Sequence, residues 1–401
     1  MTILFLTKEY NHPKMPSYGG AGSFIKIIAH DLTKKGHKVH VFGTHKNGLH
    51  FTDQDINLHF VKKFAKAHPV TNLLASASKK LNLTNLYVKF KLKEYNYWAA
   101  ELKKYVANKN IDIIEAWDYG GFFMKLNMLN IPTVIRCHGS AGFLNKYFGY
   151  NDVNQYFIFE KIAFKNYEHI IAVSDYSKRI NQTLFKKDTI TVINNGIDTA
   201  LFSPLKDKDT TIIKNSIFYF GTLSEQKGTY NLAEIFNKTL EHHENATLHL
   251  IGKGAATFQY IKAHILTAKA LANTTYYDLC NYTDMPALLR QAHVIVFPTK
   301  GENFPFSFLE AMALEKPVIV SDIAVSSEII THGKDGLIAT SNSDFVSKIN
   351  TIFNDAMLAE KLAKNARKKI VANFTVSKMS EDTLTYYQSV IDASGPPLNY
   401  E

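Results

Sequence analysis

The chain of 401 residues is 46% hydrophobic and 20% charged, which excludes disordered and fibrous classes, and its length predicts two domains. No uncharged apolar run reaches about 18 residues, which excludes a membrane-spanning helix, and the N-terminal MTILFLTKEY lacks the basic region of a signal peptide. Two distant cysteines, Cys137 and Cys280, exclude a disulfide framework and a zinc site, so we expect a cytoplasmic protein. Nearly all of the net charge of +10 comes from residues 62–109, where eleven lysines accompany only two acidic residues.

Short apolar runs alternate with amphipathic segments along the first half of the chain. In chain order they are the strand TILFLT, the helix SFIKIIAHDLTKKG and the strands HKVHVFG, DIIEAW, PTVIRCHG, HIIAVSD and ITVINNG. This alternation predicts an α/β domain with a parallel sheet and helices on its faces.

The lysine-rich segment, residues 62–109, interleaves Leu, Tyr, Phe and Trp98 with lysine. Such a pattern is typical of a helix that lies on an anionic membrane surface, and solvated helix faces explain it equally well. Nucleic acid is not an expected partner, because arginine is scarce there and no binding motif is recognisable.

The same rhythm restarts after a polar stretch, Asp198–Thr211, which contains Pro204. The predicted strands are IFYFGT, ATLHLIG, TTYYDLC, VIVFPT, PVIVSD and GLIA. The predicted helices between them are TYNLAEIFNKTLE, FQYIKAHILTAKALA, MPALLRQA and residues 306–314. We therefore expect an N-terminal domain at 1–205 and a C-terminal domain at 206–376. A C-terminal helix at about 377–401 is expected to pack back on the first domain.

Ligands of open α/β sheets bind at the carboxyl ends of the strands, so the loops that follow the strands hold the candidate residues. These candidates are Gly19–Gly22, His138, Asn194–Asp198, Gly221–Lys227 and Glu302. Asn194 and Asn195 also suit a turn without any further function.

Two glycine-containing loops precede helices. SYGGAGSF, residues 17–24, contains Gly19, Gly20 and Gly22, and helix N-terminal amides can bind an anion, but a simple turn is an equal expectation. FGTLSEQKG, residues 220–228, directs Lys227 toward the end of the sheet, where it suits a pyrophosphate; a solvated lysine at a helix start is the alternative.

Three further candidate segments lie at the ends of predicted strands. IRCHG places His138 before a glycine, which favours a ligand contact over the commoner structural role of histidine. HIIAVSDYSKR and VINNGID add Ser174, Arg179 and Asp198.

The segment KGENFPFSFLEAMALEKPVIVSD, residues 300–322, contains two glutamates. With Pro305 as the first helical residue, Glu302 falls in the preceding loop and Glu310 on the second turn. The neighbours of Glu310 are apolar, so its carboxylate is expected to be buried and to need a partner, such as the hydroxyl groups of a sugar or ribose.

Together these segments resemble the family 4 glycosyltransferases, which have the GT-B fold of two Rossmann-like domains facing across a cleft. The resemblance covers nearly the whole chain, and Glu302 with Glu310 matches the family's E-x7-E motif. It implies a retaining, metal-independent enzyme without a cofactor. The enzyme would move a hexose-type sugar from a UDP- or GDP-sugar to a glycan or lipid-linked acceptor, in cell-envelope polysaccharide or lipopolysaccharide biosynthesis, either in the cytoplasm or on the inner face of the plasma membrane.

The resemblance also implies roles for individual residues. His138 and Glu302 would contact the donor sugar, and Lys227 would neutralise the diphosphate. Glu310 would bind the ribose hydroxyls. The other implied donor-binding residues are Gly19, Gly20, Gly22, Thr222, Asn303, Phe304 and Arg179.

The chain departs from the family pattern at several positions. Thr222 stands where the family commonly has an arginine, which removes a bidentate phosphate donor, and we expect Arg179 or a backbone amide to compensate. The motif reads ENFP where the family usually has EGFG, and Ala324–Ser327 replaces a glycine pair.

Two other functions remain open. A glycan phosphorylase shares the GT-B architecture but needs a lysine that carries pyridoxal phosphate. A non-catalytic nucleotide-sugar-binding protein would keep Glu310 without any transfer. We do not expect the two glutamates to act as a glycosidase pair, whose carboxyl groups lie roughly 5 to 10 Å apart across the scissile bond.

Overall fold

The computed structural model describes residues 1–15, 19–149, 154–204, 211–278 and 280–394, with the backbone alone for 154–155. These residues form two compact units: Met1–Asn194 together with the chain from Met379 onward, and Asn195–Lys378. The division after residue 205 stays a prediction, because residues 205–210 lie outside the described ones. Ser17 of the glycine-containing loop and residues 395–401 of the expected C-terminal helix also lie outside them.

The N-terminal unit contains an eight-stranded sheet with the order β3-β4-β2-β1-β5-β6-β7-β8. Its strands are β1 (Thr2–Leu6), β2 (Lys38–His45), β3 (Leu49–Asp53), β4 (Ile56–Lys62), β5 (Ile113–Trp117), β6 (Thr133–Cys137), β7 (Ile170–Ala172) and β8 (Thr191–Val192). All neighbouring strands run parallel except β3 and β4, which form an antiparallel hairpin. The hairpin was not predicted, because its turn uses Gln54 in the left-handed region, at φ 52°, in place of a glycine.

Among the residues that the structure describes, seven helices of the N-terminal unit precede Asn194. They are α1 (Gly20–Lys34), α2 (Phe64–Ala67), α3 (Pro69–Lys80), α4 (Thr84–Val106), α5 (Ala141–Phe148), α6 (Asn154–Phe164) and α7 (Asp175–Phe185), with a 3₁₀ segment at Tyr119–Leu129. Helix α7 begins directly after Ser174, because the Ser174 hydroxyl accepts the Ser177 amide at 3.0 Å and caps the first turn.

The lysine-rich segment forms helices α2, α3 and α4. Tyr87, Tyr95 and Trp98, all on α4, are buried in the core, and the Trp98 ring lies 5.9 Å from that of Phe42 on β2. The assignment of Trp98 to a membrane-facing pattern was therefore wrong, because its side chain packs against Phe42 of the sheet.

The C-terminal unit contains a six-stranded, entirely parallel sheet with the order β11-β10-β9-β12-β13-β14. Its strands are β9 (Ser216–Phe220), β10 (Thr247–Ile251), β11 (Thr274–Tyr277), β12 (Val294–Phe297), β13 (Val318–Ser321) and β14 (Leu337–Ala339). Its helices are α8 (Thr229–His242), α9 (Ala255–His264), α10 (Ala268–Ala272), α11 (Met285–Leu289), α12 (Phe306–Ala313), α13 (Ser326–Ile329), α14 (Asn342–Asn354) and α15 (Ala356–Asn373). Two α/β units with predominantly parallel sheets confirm the predicted fold class, although the segment expected as one helix after β10 forms two, α9 and α10.

The last helix, α16 (Val376–Ala393), joins the N-terminal unit through a buried polar network. The Tyr387 hydroxyl on α16 donates to Glu115 Oε2 at 2.6 Å, and Arg136 Nη2 lies 2.9 Å from the same oxygen. Arg136 also donates to the Thr383 hydroxyl at 3.0 Å. Glu115 and Arg136 are buried, and a buried charge is costly unless it is paired and hydrogen-bonded. The hydrogen bonds that Tyr387 and Thr383 make with them therefore hold α16 against β5 and β6.

Replacing Tyr387 with phenylalanine is expected to lower the free energy of unfolding by about 1–3 kcal/mol, because Glu115 loses a buried donor. Urea unfolding of the variant and the wild type measures the difference. Tyr260→Phe, at an exposed tyrosine, is the matched control. Equal stability of the Tyr387 variant and the wild type would mean that the network does not hold α16 in place.

Candidate functional site

The central strands of the C-terminal sheet create a place for a ligand. The chain passes from β9 outward to β10 and β11, then returns to β12 on the other side of β9 and continues outward to β13 and β14. The loops that follow β9 and β12 therefore diverge at the carboxyl edge of the sheet. Such a switch point is where open α/β sheets bind ligands.

These two loops are held tightly together. Gly228 ends the loop after β9 with φ 75°, and a Cβ atom there would lie only 1.8 Å from the carbonyl oxygen of Pro298. Only glycine permits this approach. The amide of Lys300 donates to the Gln226 carbonyl at 3.0 Å, which joins the loops a second time.

A small cavity of about 120 Å³ lies between the two loops. Lys227 and Glu302 line it, and Lys227 Nζ is 2.5 Å from Glu302 Oε1. Thr299 Oγ1 donates to the same carboxylate oxygen at 3.3 Å. The pair is partly exposed, so both charges remain available to a ligand.

Glu310 lies on the second turn of α12 and has a different partner. Its carboxylate is buried and accepts a hydrogen bond from the Tyr282 hydroxyl at 2.9 Å. Burial raises the pKa of the Glu310 carboxyl from 4.5 to about 7, although the hydrogen bond from Tyr282 opposes that rise. The predicted burial of the Glu310 carboxyl is confirmed, and its partner in the structure is the Tyr282 hydroxyl. Burial and the neighbouring Glu310 also raise the pKa of Tyr282.

The raised pKa makes stability depend on pH. Between about pH 4.5 and 7 the folded chain holds a proton on Glu310 that the unfolded chain releases, so the contribution of Glu310 to stability is lost as pH rises through 7. Relative to Glu310→Gln, the wild type is expected to lose about 2–3 kcal/mol of unfolding free energy between pH 5 and 8. Urea unfolding of both proteins at each pH measures it. A pH-independent difference between the two proteins would contradict the raised pKa.

Other predicted residues of this unit lie around the cavity. Thr222 lines it, and its carbonyl accepts the Tyr219 hydroxyl at 2.9 Å. Asn303 and Phe304 lie in the bend between Glu302 and the helix. The buried Phe304 ring packs 5.5 Å from that of Phe374, and the Phe304 carbonyl accepts the Asn195 side-chain amide at 3.0 Å.

The prediction that Pro305 is the first helical residue was wrong. Pro305 has extended backbone, with ψ 126°, and α12 begins at Phe306. The ring fixes φ but does not require helical ψ, so proline also suits the position before the helix.

His138 lies in the N-terminal unit, directly after β6. Its backbone amide and that of Gly139 donate to the Asp118 carboxylate at 3.1 and 3.2 Å. Its ring lies 4.4 Å from the Phe24 ring on α1. Burial and the nearby Arg136 lower the pKa of His138 to about 3, so the imidazole is neutral at pH 7 and can donate or accept a hydrogen bond.

The glycine loop and Arg179 also lie in the N-terminal unit. The Gly19 amide donates to Glu9 Oε2 at 2.7 Å, while Gly20 and Gly22 form the first turn of α1. Arg179 is an exposed residue of α7. Because Thr222 belongs to the other unit, compensation by Arg179 stays a prediction.

The sequence analysis missed several polar residues near these positions. Tyr282 follows β11 and Asp118 follows β5, so the strand-end rule could have found both. Glu160, in the middle of α6, gave no such signal, yet it is fully buried and accepts the amides of Gly120, Ala141 and Gly142 at 2.7–2.9 Å. Burial raises the pKa of Glu160 to about 7.

Among the described residues, no cluster of three or more His, Cys, Asp or Glu side chains could hold a metal ion. No helix in the described part of the chain combines the length and hydropathy needed to cross a bilayer.

Comparison with known families accounts for almost the entire chain. The model of Glycosyltransferase Family 4 matches residues 18–201, and that of Glycosyl transferases group 1 matches residues 202–369. The chain belongs to the family 4 glycosyltransferases. Its two matches divide near the boundary between the two units of this glycosyltransferase.

Relatives of this glycosyltransferase include the capsular polysaccharide biosynthesis glycosyltransferase CapM of Staphylococcus aureus. The two are 27% identical over 253 residues, which cover 59% of this chain and 66% of CapM. The aligned region is thus slightly less than two thirds of CapM.

Two solved structures show that this glycosyltransferase has the GT-B fold. The sucrose-phosphate synthase of Thermosynechococcus elongatus matches with a TM-score of 0.79 at 17% identity and covers 98% of this chain and all of that one. Anabaena HepE, solved in complex with UDP and glucose, matches with a TM-score of 0.69 at 17% identity, covering 97% of this chain and 100% of that one.

Proposed function

We propose that this glycosyltransferase moves a hexose-type sugar, with retention of anomeric configuration, from a UDP- or GDP-sugar to a glycan or lipid-linked acceptor. The observation that carries the proposal is the Lys227–Glu302 pair, which lines a cavity at the switch point of the C-terminal sheet. Buried Glu310 follows on the next helix. A cation and two carboxylates match the three parts of a nucleotide sugar: diphosphate, hexose and ribose.

Lys227 supports the bond-breaking step. As the bond from the anomeric carbon to the diphosphate breaks, its electron pair moves to the phosphate oxygen, and the nearby ammonium stabilises that charge. The acceptor hydroxyl attacks the same face of the anomeric carbon and passes its proton to the leaving phosphate. The lysine and backbone amides supply the positive charge, so we propose a metal-independent reaction without a cofactor.

The other residues bind and orient the donor. We propose that Glu302 contacts hexose hydroxyls, and that the amides of Asn303 and Phe304 lie close to the same groups. Glu310 accepts hydrogen bonds from the ribose hydroxyls, which supply the polar partners that its buried carboxylate needs. Thr222 lies at the diphosphate in place of the family arginine.

The names of two similar proteins support the proposed pathway and donor. CapM is named for capsular polysaccharide biosynthesis, which supports a role in the assembly of cell-envelope polysaccharide or lipopolysaccharide. HepE was solved with UDP and glucose, which supports a uridine nucleotide donor. A lipid-linked acceptor would bring the enzyme to the inner face of the plasma membrane as a peripheral protein.

A thermal-shift screen with UDP, GDP, ADP and TDP and their sugars tests the proposal, followed by hydrolysis assays of each donor that binds. We expect stabilisation by one nucleotide family and slow release of the diphosphate without metal. Binding without hydrolysis or transfer would favour a non-catalytic binding protein. An absorbance band of pyridoxal phosphate in the purified protein would favour a phosphorylase.

A further inference from the structure

Helix α3 exposes its large apolar residues and buries its small ones. Val70 and Leu73 are 70% and 68% exposed, whereas Ala75 and Ser78 are buried. The Ser78 hydroxyl donates to the Leu74 carbonyl at 2.7 Å, which satisfies it inside the contact with the rest of the unit. A helix at a water-exposed surface normally has the opposite arrangement, with its apolar stripe facing the core.

The exposed apolar residues form one continuous stripe. Val70, Leu73, Leu74 and Leu81 follow the three- and four-residue spacing of one helix face. Leu83, just before α4, and Leu86, on its first turn, are also exposed. Of the fourteen exposed large hydrophobic residues in the described chain, six lie within residues 70–86. We call these six residues the apolar stripe.

Positive charge surrounds the apolar stripe. Residues 62–93 contain eight lysines and neither aspartate nor glutamate. Lys79 and Lys80, at the end of α3, are exposed, as is Lys89 on α4. The first acidic residue that follows is Glu94, which pairs with Lys91.

We propose that the apolar stripe and its lysines form a docking surface for an anionic lipid bilayer. The leucines would enter the boundary between headgroups and acyl chains, while the lysines would contact lipid phosphates. The proposal deepens the proposed function, because a lipid-linked acceptor would reach the enzyme at this surface. It narrows the membrane contact to residues 62–93, since Tyr95, Trp98 and Tyr105, later on α4, are buried in the core.

The charge distribution disfavours two other occupants. A second copy of the chain would bring a second uncompensated cluster of lysines against the first, which repels it. Single-stranded nucleic acid prefers aromatic side chains and arginine, whereas this surface presents leucine, valine and lysine.

Vesicle flotation tests the proposal with the full chain and without any donor, so its failure is distinguishable from failure of sugar transfer. We expect binding to vesicles that contain phosphatidylglycerol and at least about tenfold weaker binding to pure phosphatidylcholine vesicles at low salt. Leu73→Ser with Leu81→Ser is expected to lower partitioning onto anionic vesicles about tenfold or more. Lys79→Gln with Lys80→Gln should weaken binding and reduce its dependence on salt.

Met357→Ser is the matched control, because Met357 lies on α15 of the C-terminal unit and is 84% exposed. It should bind anionic vesicles as the wild type does, and all variants should keep the wild-type melting temperature. Three results would overturn the proposal: no binding to anionic vesicles at low salt, equal binding by the leucine variant, or an oligomer in light scattering that the leucine variant dissociates. The last would assign the surface to a second copy of the chain.

Discussion

Replacing Lys227 with methionine is expected to lower the rate of sugar transfer by about 10²–10³-fold, because the leaving diphosphate loses the cation closest to the cavity. Methionine keeps the length of the side chain and removes its charge. The effect should fall mainly on kcat, since the charge on the phosphate oxygen grows as the bond breaks. Steady-state release of nucleoside diphosphate measures it.

Glu302 is expected to act in the same step. Glu302→Gln keeps the hydrogen-bonding shape but releases Lys227 from an ion pair of 2.5 Å, so it should harm transfer more than donor binding. The double variant should be little worse than Lys227→Met alone, because residues in direct contact do not act independently.

The chain offers a matched control for this pair. Lys300 and Glu225 form another ion pair between the same two loops, 2.8 Å apart and more exposed. Lys300→Met should leave transfer within about twofold of the wild type, since exposed pairs contribute little. Equal losses in the Lys227 and Lys300 variants would contradict a specific role for Lys227.

Replacing Glu310 with glutamine is expected to weaken the binding of nucleoside diphosphates by about 10- to 100-fold, because the amide offers the ribose hydroxyls one acceptor oxygen where the carboxyl group offers two. Titration calorimetry with the nucleotide that the wild type prefers measures the dissociation constant. The fold should survive the change, since burial disfavours the ionised carboxyl and glutamine carries no charge.

Tyr282 offers a second way to test the same site. Tyr282→Phe removes the hydroxyl that donates to Glu310, so it should alter nucleotide affinity in the same direction but less. Glu360→Gln, at an exposed glutamate of α15, is the control and should bind as the wild type does. Unchanged affinity in the Glu310 variant would contradict the assignment of this carboxylate to ribose.

The fold class could be predicted because most strands of the two sheets are short apolar runs separated by helices. What failed was local. The hairpin of β3 and β4 lacks the glycine that normally marks a tight turn, and α14 and α15 were not identified, although Phe345, Val346 and Ile349 have helical spacing and are buried.

The candidate site was partly predictable for a similar reason. Lys227, Glu302 and His138 lie in the loops that follow strands, so the rule for open sheets finds them without any contact information. Tyr282 also lies after a strand, β11, so the same rule could have found it, but its hydrogen bond to Glu310 is visible only in the structure. Glu160 was missed because a glutamate in the middle of a helix resembles a surface residue until the packing of Gly120 and Gly142 around it is known.

The lysine-rich segment shows where composition misleads. Trp98 and Leu73 have the same sequence context of lysine and apolar residues, yet one packs in the core and the other faces solvent. The spacing of apolar residues alone could not separate the exposed surface of α3 from the buried surface of α4, because both carry apolar side chains. Only the packing of α4 against the sheet identifies which of them remains exposed.

A proton NMR time course of donor hydrolysis tests the proposed function most directly. The wild type is incubated with the preferred UDP- or GDP-linked α-sugar and EDTA, and the anomeric signals of the first free sugar are followed. We predict release of the nucleoside diphosphate together with the α-anomer, and loss of both signals in Lys227→Met. Initial release of the β-anomer, or no release from any donor that binds, would contradict a retaining transferase that uses this site.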